Sequence, residues 1–160
     1  MITINLLCVG KIKEIFFKDA INEYSKRLSK YCNLNIIEVQ DSKVPDKSSQ
    51  AVEKQIKDEE ASRMLSQLKK DTYLICLDLN GKEYTSTEFS DKIQNLAVEG
   101  NGNITFVIGG TLGIGDEVLK IAKEKICFSK MTFPHQLIRV FLLEQLFRGF
   151  KIANGETYHR

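Results

Sequence analysis

Three short stretches of the chain carry residues whose types could do chemistry. The first is GGTLGIG, where Gly109, Gly110, Gly113 and Gly115 follow the apolar run Ile104 to Ile108. Glycine lacks a side chain, so a ligand can come close to the backbone donors of such a turn. The spacing is neither that of a phosphate loop, which ends in Gly-Lys-Ser/Thr, nor that of a dinucleotide fingerprint. A nucleoside is one ligand it could take, and a plain turn is the competing reading. The second stretch is Cys127 to His135, an apolar strand end that empties into Ser129, Lys130, Met131, Thr132 and Phe133. His135, after Pro134, either lines a cleft or is an ordinary structural residue. The third is the tail, where Tyr158, His159 and Arg160 offer an aromatic platform, a titratable ring and a cation in one place. His159 is either unconstrained or closes over a substrate.

The two histidines do not form a metal cluster, and no serine-histidine-acid arrangement has a recognisable context. A cysteine nucleophile would need an accessible thiol of low pKa, which the apolar surroundings of these cysteines do not provide. Hydrolase chemistry is disfavoured on those grounds.

The elements that must position these stretches follow from periodicity. Residues 2–9 form a near-continuous apolar run rich in Ile, Val and Thr, which predicts a strand buried on both faces. Phe16, Phe17, Ala20, Ile21, Tyr24 and Leu28 recur every three or four residues and predict a helix over 15–28 that lies against a sheet. A strand is expected over 34–39, then an exposed loop containing Pro45, then a helix capped by Ser49. The charges of that helix, Lys54, Lys57 and Arg63 included, read as a solvated face or as contacts to a polyanion. Residues 73–77 form a buried strand ending at Asp78 to Gly81. There Asn80-Gly81 suggests a hairpin, but the amphipathic run capped by Thr87 favours a strand-to-helix connection. The strand over 104–108, a helix-length segment, a strand at Cys127-Phe128 and a long apolar helix after Pro134 complete the order.

This alternation predicts a single α/β domain over 1–160, with an open, mainly parallel sheet flanked by helices. Ligands of such folds bind beyond the carboxyl ends of the strands, which is where the glycine turn and the 129–133 loop fall. The last helix carries more apolar surface than one domain is expected to cover, so self-association is expected, and sedimentation as a stable monomer would count against it.

At 160 residues with 42% hydrophobic and 28% charged residues, the chain has enough apolar content for one sizeable core and is not of the disordered or fibrous class. No run reaches the roughly 18 apolar residues that cross a bilayer, and MITINLLCVGK lacks the pattern of an export signal. Cys8, Cys32, Cys76 and Cys127 are far apart and sit mostly in apolar runs, so they read as buried thiols of a cytoplasmic protein rather than disulfides or zinc ligands. A net charge of +2 permits an RNA partner without requiring one.

The amino-terminal ITINLLCVGK, the middle LDLNGK, the IGG of 108–110, the block FSKMTFPHQLIRVFLLEQLFRGFKI and the final YHR together resemble the ribosomal RNA large subunit methyltransferase H family of the SPOUT class. The resemblance spans essentially the whole chain, with Phe128 where leucine is frequent and Phe147 where tyrosine is frequent. It implies a sheet whose carboxyl-terminal part threads a deep trefoil knot, a homodimer, and S-adenosylmethionine as cofactor. It implies methylation of N3 of a pseudouridine in large-subunit ribosomal RNA, recognised in ribosomal particles.

Matching motifs place Leu77, Gly109, Phe128, Ser129, Lys130, Met131, Thr132 and Phe133 around the cofactor. His135 and His159 are candidates for proton handling, Arg139 for steadying the base or holding phosphate, and Tyr158 for stacking on the target base. Lys11, Lys13, Lys130, Arg139, Arg148, Lys151 and Arg160 could form a dispersed basic surface. The alternative is a noncatalytic ribosome-binding or assembly module that keeps a nucleoside pocket.

Overall fold

The computed structural model describes residues 1–158, so the expectations for His159 and Arg160 lie outside the described residues. Five strands and five helices alternate: β1 (Ile2–Val9), α1 (Ile15–Leu28), β2 (Cys32–Val39), α2 (Gln50–Leu65), β3 (Tyr73–Glu83), α3 (Ser86–Val98), β4 (Asn103–Ile108), α4 (Asp116–Ile121), β5 (Glu124–Cys127) and α5 (His135–Ala153). The strands form one sheet in the order β2-β1-β4-β3-β5, and each adjacent pair is parallel.

Two cores lie on opposite faces of this sheet, and the side-chain alternation of the strands feeds both. Ile4, Leu6 and Cys8 of β1, with Ile104, Phe106 and Ile108 of β4, join Phe89, Ile93 and Leu96 of α3 and Leu142, Leu146 and Phe150 of α5. Leu7, Val9 and Val107 point the other way, into Ala61 and Met64 of α2 and Val118 of α4. The continuous apolar reading of β1 and β4 is thus the signature of a central strand covered twice.

Helix α5 is the main cover of the first face. It packs between α1 and α3 and buries Leu142, Leu143, Leu146, Phe147 and Phe150. It meets α3 at Gly149, where the Ser90 hydroxyl donates to the Gly149 carbonyl at 2.6 Å. Much of the apolar surface of this helix is therefore met within its own chain. Helix α1 lies chiefly on α5, with Leu28 buried and Phe17, Ile21 and Tyr24 half-buried, while Ile15 and Phe16 are 68% and 63% exposed.

Two local expectations are corrected. The chain does not leave the sheet at Asp78: Leu77 and Lys82 both align with Ile126, so residues 78–81 bulge outward before β3 resumes along β5 to Glu83. Gly81 makes this possible, because a Cβ there would lie 2.5 Å from the Ile126 carbonyl carbon. Helix α3 is capped by Thr85 rather than Thr87. The Thr85 hydroxyl accepts from Glu88 N at 3.1 Å and the Glu88 carboxylate accepts from Thr85 N at 2.8 Å, a reciprocal capping box. The expected Ser49 cap of α2 is present, accepting from Val52 N.

All four cysteines are buried free thiols, and burial pushes Cys8 and Cys76 up to about 12, far from the thiolate a nucleophile requires. Lys54 pairs with Asp58 and Arg63 with Glu59 on α2, as expected of a solvated face. No helix among the described residues is long and apolar enough to cross a membrane.

Candidate functional site

The carboxyl ends of β3, β4 and β5 deliver three loops to one cavity of 590 Å³, within the size range of ordinary small-molecule sites. Its walls are Leu77 to Asn80 from the β3 bulge, Ile108 to Ile114 after β4, and residues 126–129 and 131–135 after β5. Of the residues expected around a cofactor, Leu77, Gly109, Phe128, Ser129, Met131, Thr132 and Phe133 all line it. Lys130 is exposed and is not part of the lining.

The glycine turn folds back on itself. Gly113 N donates to Gly110 O at 3.0 Å, and the two residues form an isolated antiparallel bridge. Gly113 has φ +92, a conformation that L side chains rarely adopt. Gly109 has no room for a side chain: a Cβ would meet Gly113 C at 2.6 Å and Gly113 O at 2.7 Å. Gly115 is pressed equally hard against Lys57 O and Ala61 Cβ of α2. Gly109 and Gly115 are demanded by close packing within the chain and Gly113 by its positive φ.

The loop after β5 is tied down by its own polar groups. Cys127 Sγ donates to Ser129 O, and the Ser129 hydroxyl accepts from Met131 N. Phe133 meets Phe141 of α5 edge to face, with ring centroids 5.5 Å apart. A second cavity of 360 Å³ lies beside this loop, shares Ile126 to Ser129 and Phe133 with the first, and reaches Ser86, Glu144 and Gln145.

His135 lines the main cavity and is half-buried. Burial, and then the Arg139 charge, hold it below the ordinary 6.5, against the opposing pull of Asp41 and Glu14. It is therefore a neutral imidazole at neutral pH. Among the described residues the lining otherwise offers one carboxylate, Asp78, and no lysine or arginine. No group of three metal-binding side chains occurs among the described residues.

Arg139 and Tyr158 lie outside the lining of this cavity. Arg139 is 1% exposed and absent from the cavity wall. Its Nη1 donates to Glu38 Oε2, and its Nη2 to Val9 O and Gly10 O, each at 2.8 Å. The two terminal nitrogens clamp the ends of β1 and β2, while the buried Nε has no hydrogen-bond partner among the described residues. Tyr158 donates to Glu144 Oε2, packs edge to face on Phe147, and is covered by Arg148. It too lies outside the lining. Arg148 and Lys151 are ion-paired with Glu144 and Glu156, so Lys11, Lys13 and Lys130 are what remains exposed of the expected basic surface among the described residues.

A parallel open sheet with a glycine loop and a pocket at its carboxyl edge defines an α/β protein whose candidate site lies where open sheets of this kind bind their ligands. Residues 2–159 match the family described as "Predicted SPOUT methyltransferase", and the chain belongs to that family. It is similar to the "Ribosomal RNA large subunit methyltransferase H" of Clostridium acetobutylicum, 57% identical over 157 residues, covering 98% of this chain and 99% of that one. The protein of the same name from Clostridium tetani is 55% identical over the same share of each chain. Among solved structures, a probable methylase family protein from Haemophilus influenzae Rd KW20 shares the fold with a TM-score of 0.55 at 11% identity, covering 98% of this chain and 70% of that one.

Proposed function

We propose that the protein uses S-adenosylmethionine to methylate N3 of a pseudouridine in large-subunit ribosomal RNA. The observation that carries this reading is the convergence of Leu77, Gly109 and the 128–133 loop on one cavity, with His135 at the same wall. The names of the two clostridial relatives support ribosomal RNA as the substrate.

The residues present fit the cofactor. Leu77, Phe128 and Phe133 supply apolar surface for a flat adenine. Gly109 and Gly110 shape the turn whose backbone lines the pocket, and a wall with Asp78 and no lysine or arginine suits a cation. When bound, S-adenosylmethionine supplies an electrophilic methyl on a sulfonium and leaves as a neutral thioether.

The residues of the chain have a different task. N3 of the neutral base carries a proton, which must leave before the nitrogen lone pair can form its bond to carbon. His135, neutral and at the pocket wall, has a lone pair to receive that proton, and His159 is the second candidate. The loops after β3, β4 and β5 fix the approach, since effective displacement needs nitrogen, carbon and sulfur aligned. Arg139 acts through the β1 and β2 ends that it holds, and Tyr158 with Arg160 presents the tail to RNA. Lys11, Lys13 and Lys130 contribute phosphate contacts.

The same proposal includes a homodimer working in the cytoplasm on ribosomal particles, with the three loops threaded as a trefoil knot. A second copy would cover apolar surface left open at Ile15 and Phe16. The test is transfer of labelled methyl to matched ribosomes with and without the pseudouridine, followed by nucleoside mass analysis. Label is expected at N3 only when pseudouridine is present. Label on another base overturns the substrate assignment, and ribosome binding without transfer identifies a noncatalytic module.

A further inference from the structure

Glu60 of α2 is a buried carboxylate without an ion-pair partner among the described residues. It is 3% exposed, yet Oε2 accepts from Ser42 N at 3.0 Å and no cation pairs with it at ion-pair distance among the described residues. Its carboxylate sits directly behind the glycine turn: a Cβ on Gly110 would lie 3.0 Å from Oε1 and 3.2 Å from Oε2. Gly110 lines the cavity, so only the thickness of the backbone separates this charge from the ligand. The wall itself carries one carboxylate, Asp78, and a neutral His135.

A buried charge acts on its surroundings through a medium far less polarisable than water, so its field reaches across a turn that water would screen. We propose that Glu60 is a charge-selecting residue, whose carboxylate behind Gly110 favours a cationic ligand in the pocket over its neutral demethylated form. The inference rests on the donor reading above, because S-adenosylmethionine and S-adenosylhomocysteine differ at sulfur by one methyl and one positive charge. It gives the buried charge a purpose: the pocket prefers fresh donor and releases spent product.

The charged groups facing Glu60 are Asp41 in the loop after β2 and Glu59 and Arg63 on α2, while the glycine turn contributes none. Burial pushes the Glu60 carboxyl above its usual 4.5, while the Ser42 N–H pulls it back, Asp41 pushes up again, and Arg63 lowers it. The native state therefore holds this proton more tightly than the unfolded chain. Ionising Glu60 weakens the fold as pH rises from 4.5 through the folded value. Glu60→Gln removes that cost and keeps an oxygen for Ser42 N, so the variant is expected to fold at least as stably at pH 7.5.

The experiment compares calorimetric binding of S-adenosylmethionine and S-adenosylhomocysteine to the full chain, with thermal unfolding as the control for folding. Glu60→Gln is expected to weaken S-adenosylmethionine three- to tenfold and S-adenosylhomocysteine by less than twofold. Glu59→Gln, an exposed charge on the same helix, should leave the ratio within twofold of the wild type. Raising the pH ionises Glu60, so the wild-type preference for the cation should be smaller in acid than at pH 7.5, and Glu60→Gln should flatten that dependence while keeping any part due to His135 or Asp41. Equal weakening of both ligands, or no change in either, overturns charge selection while leaving the donor reading intact. A folded wild-type protein that binds neither ligand overturns the donor reading and this inference together.

Discussion

Gly109→Ala is expected to weaken binding of S-adenosylmethionine by more than a hundredfold while leaving a folded protein. The new methyl would fall 2.6 Å from Gly113 C, 2.7 Å from Gly113 O and 2.9 Å from Ile114 Cγ1. Two of these three atoms belong to backbone, so relief requires the turn to open and the Gly113 N to Gly110 O bond to stretch. An opened turn moves the donors and carbonyls that line the cavity between Ile108 and Ile114. Errors of about 1 Å in such a site cost orders of magnitude, because binding groups act only when aligned. The turn lies at the end of β4 and outside the sheet, so the two cores should survive. Gly102→Ala is the control, since nothing lies within 4 Å of its Cβ position. Calorimetry on both variants checks the expectation, and a Gly109→Ala affinity within threefold of wild type would show that the turn does not shape the site.

The second large effect is on stability. Arg139→Ala should cost about 3 kcal/mol, at the lower end of what breaking a buried ion pair does. The lower end applies because the Glu38 side chain keeps 32% of its exposure and can be rehydrated, whereas Arg139 keeps 1%. The carbonyls of Val9 and Gly10 lose a donor in the same step, and each was satisfied at 2.8 Å. Against a total of roughly 5–15 kcal/mol for a domain, such a loss is severe. For this length it corresponds to a fall in Tm of roughly 6–12 °C. Arg139→Lys should lose most of this as well, because one ammonium cannot reproduce a fork that grips Glu38 and two carbonyls. Urea unfolding with unchanged m gives the measure. If Arg139 instead held RNA, the variant would unfold normally and bind RNA with a shallower salt dependence.

These two residues also mark what a linear reading can and cannot reach. Periodicity located most strands and helices because burial on one face or two leaves a repeat of two or about 3.6 in the chain itself, whereas β5, expected at Cys127-Phe128, runs over Glu124–Cys127. Gly109 and the 128–133 loop were legible because they follow strand ends, where open α/β sheets gather their ligands. The partner of Arg139 was not, since Glu38 lies 101 residues away and only the β1–β4 and β1–β2 pairings bring its strand under α5. A conspicuous arginine near a conspicuous histidine invited a catalytic role, whereas the structure shows it buried on Glu38 and two carbonyls. Glu60 was hidden for a related reason: within KDEEASR it is one charge among many, and nothing local shows that it turns inward beneath Gly110 while the other charged residues stay at least partly exposed. The strand-to-helix connection read after residue 77 holds, but the bulge at 78–81 was not legible, because the resumption of β3 depends on Ile126, a long-range neighbour.

Titration of nitrogen-15-labelled protein with S-adenosylmethionine tests the pocket assignment most directly, since each backbone amide reports on its own surroundings. The largest shifts are expected at Gly109, Gly110 and the amides of 128–133, with smaller ones at Leu77 to Asn80. A saturating titration that leaves those amides unmoved, or whose shifts gather on another face of the sheet, would contradict the account.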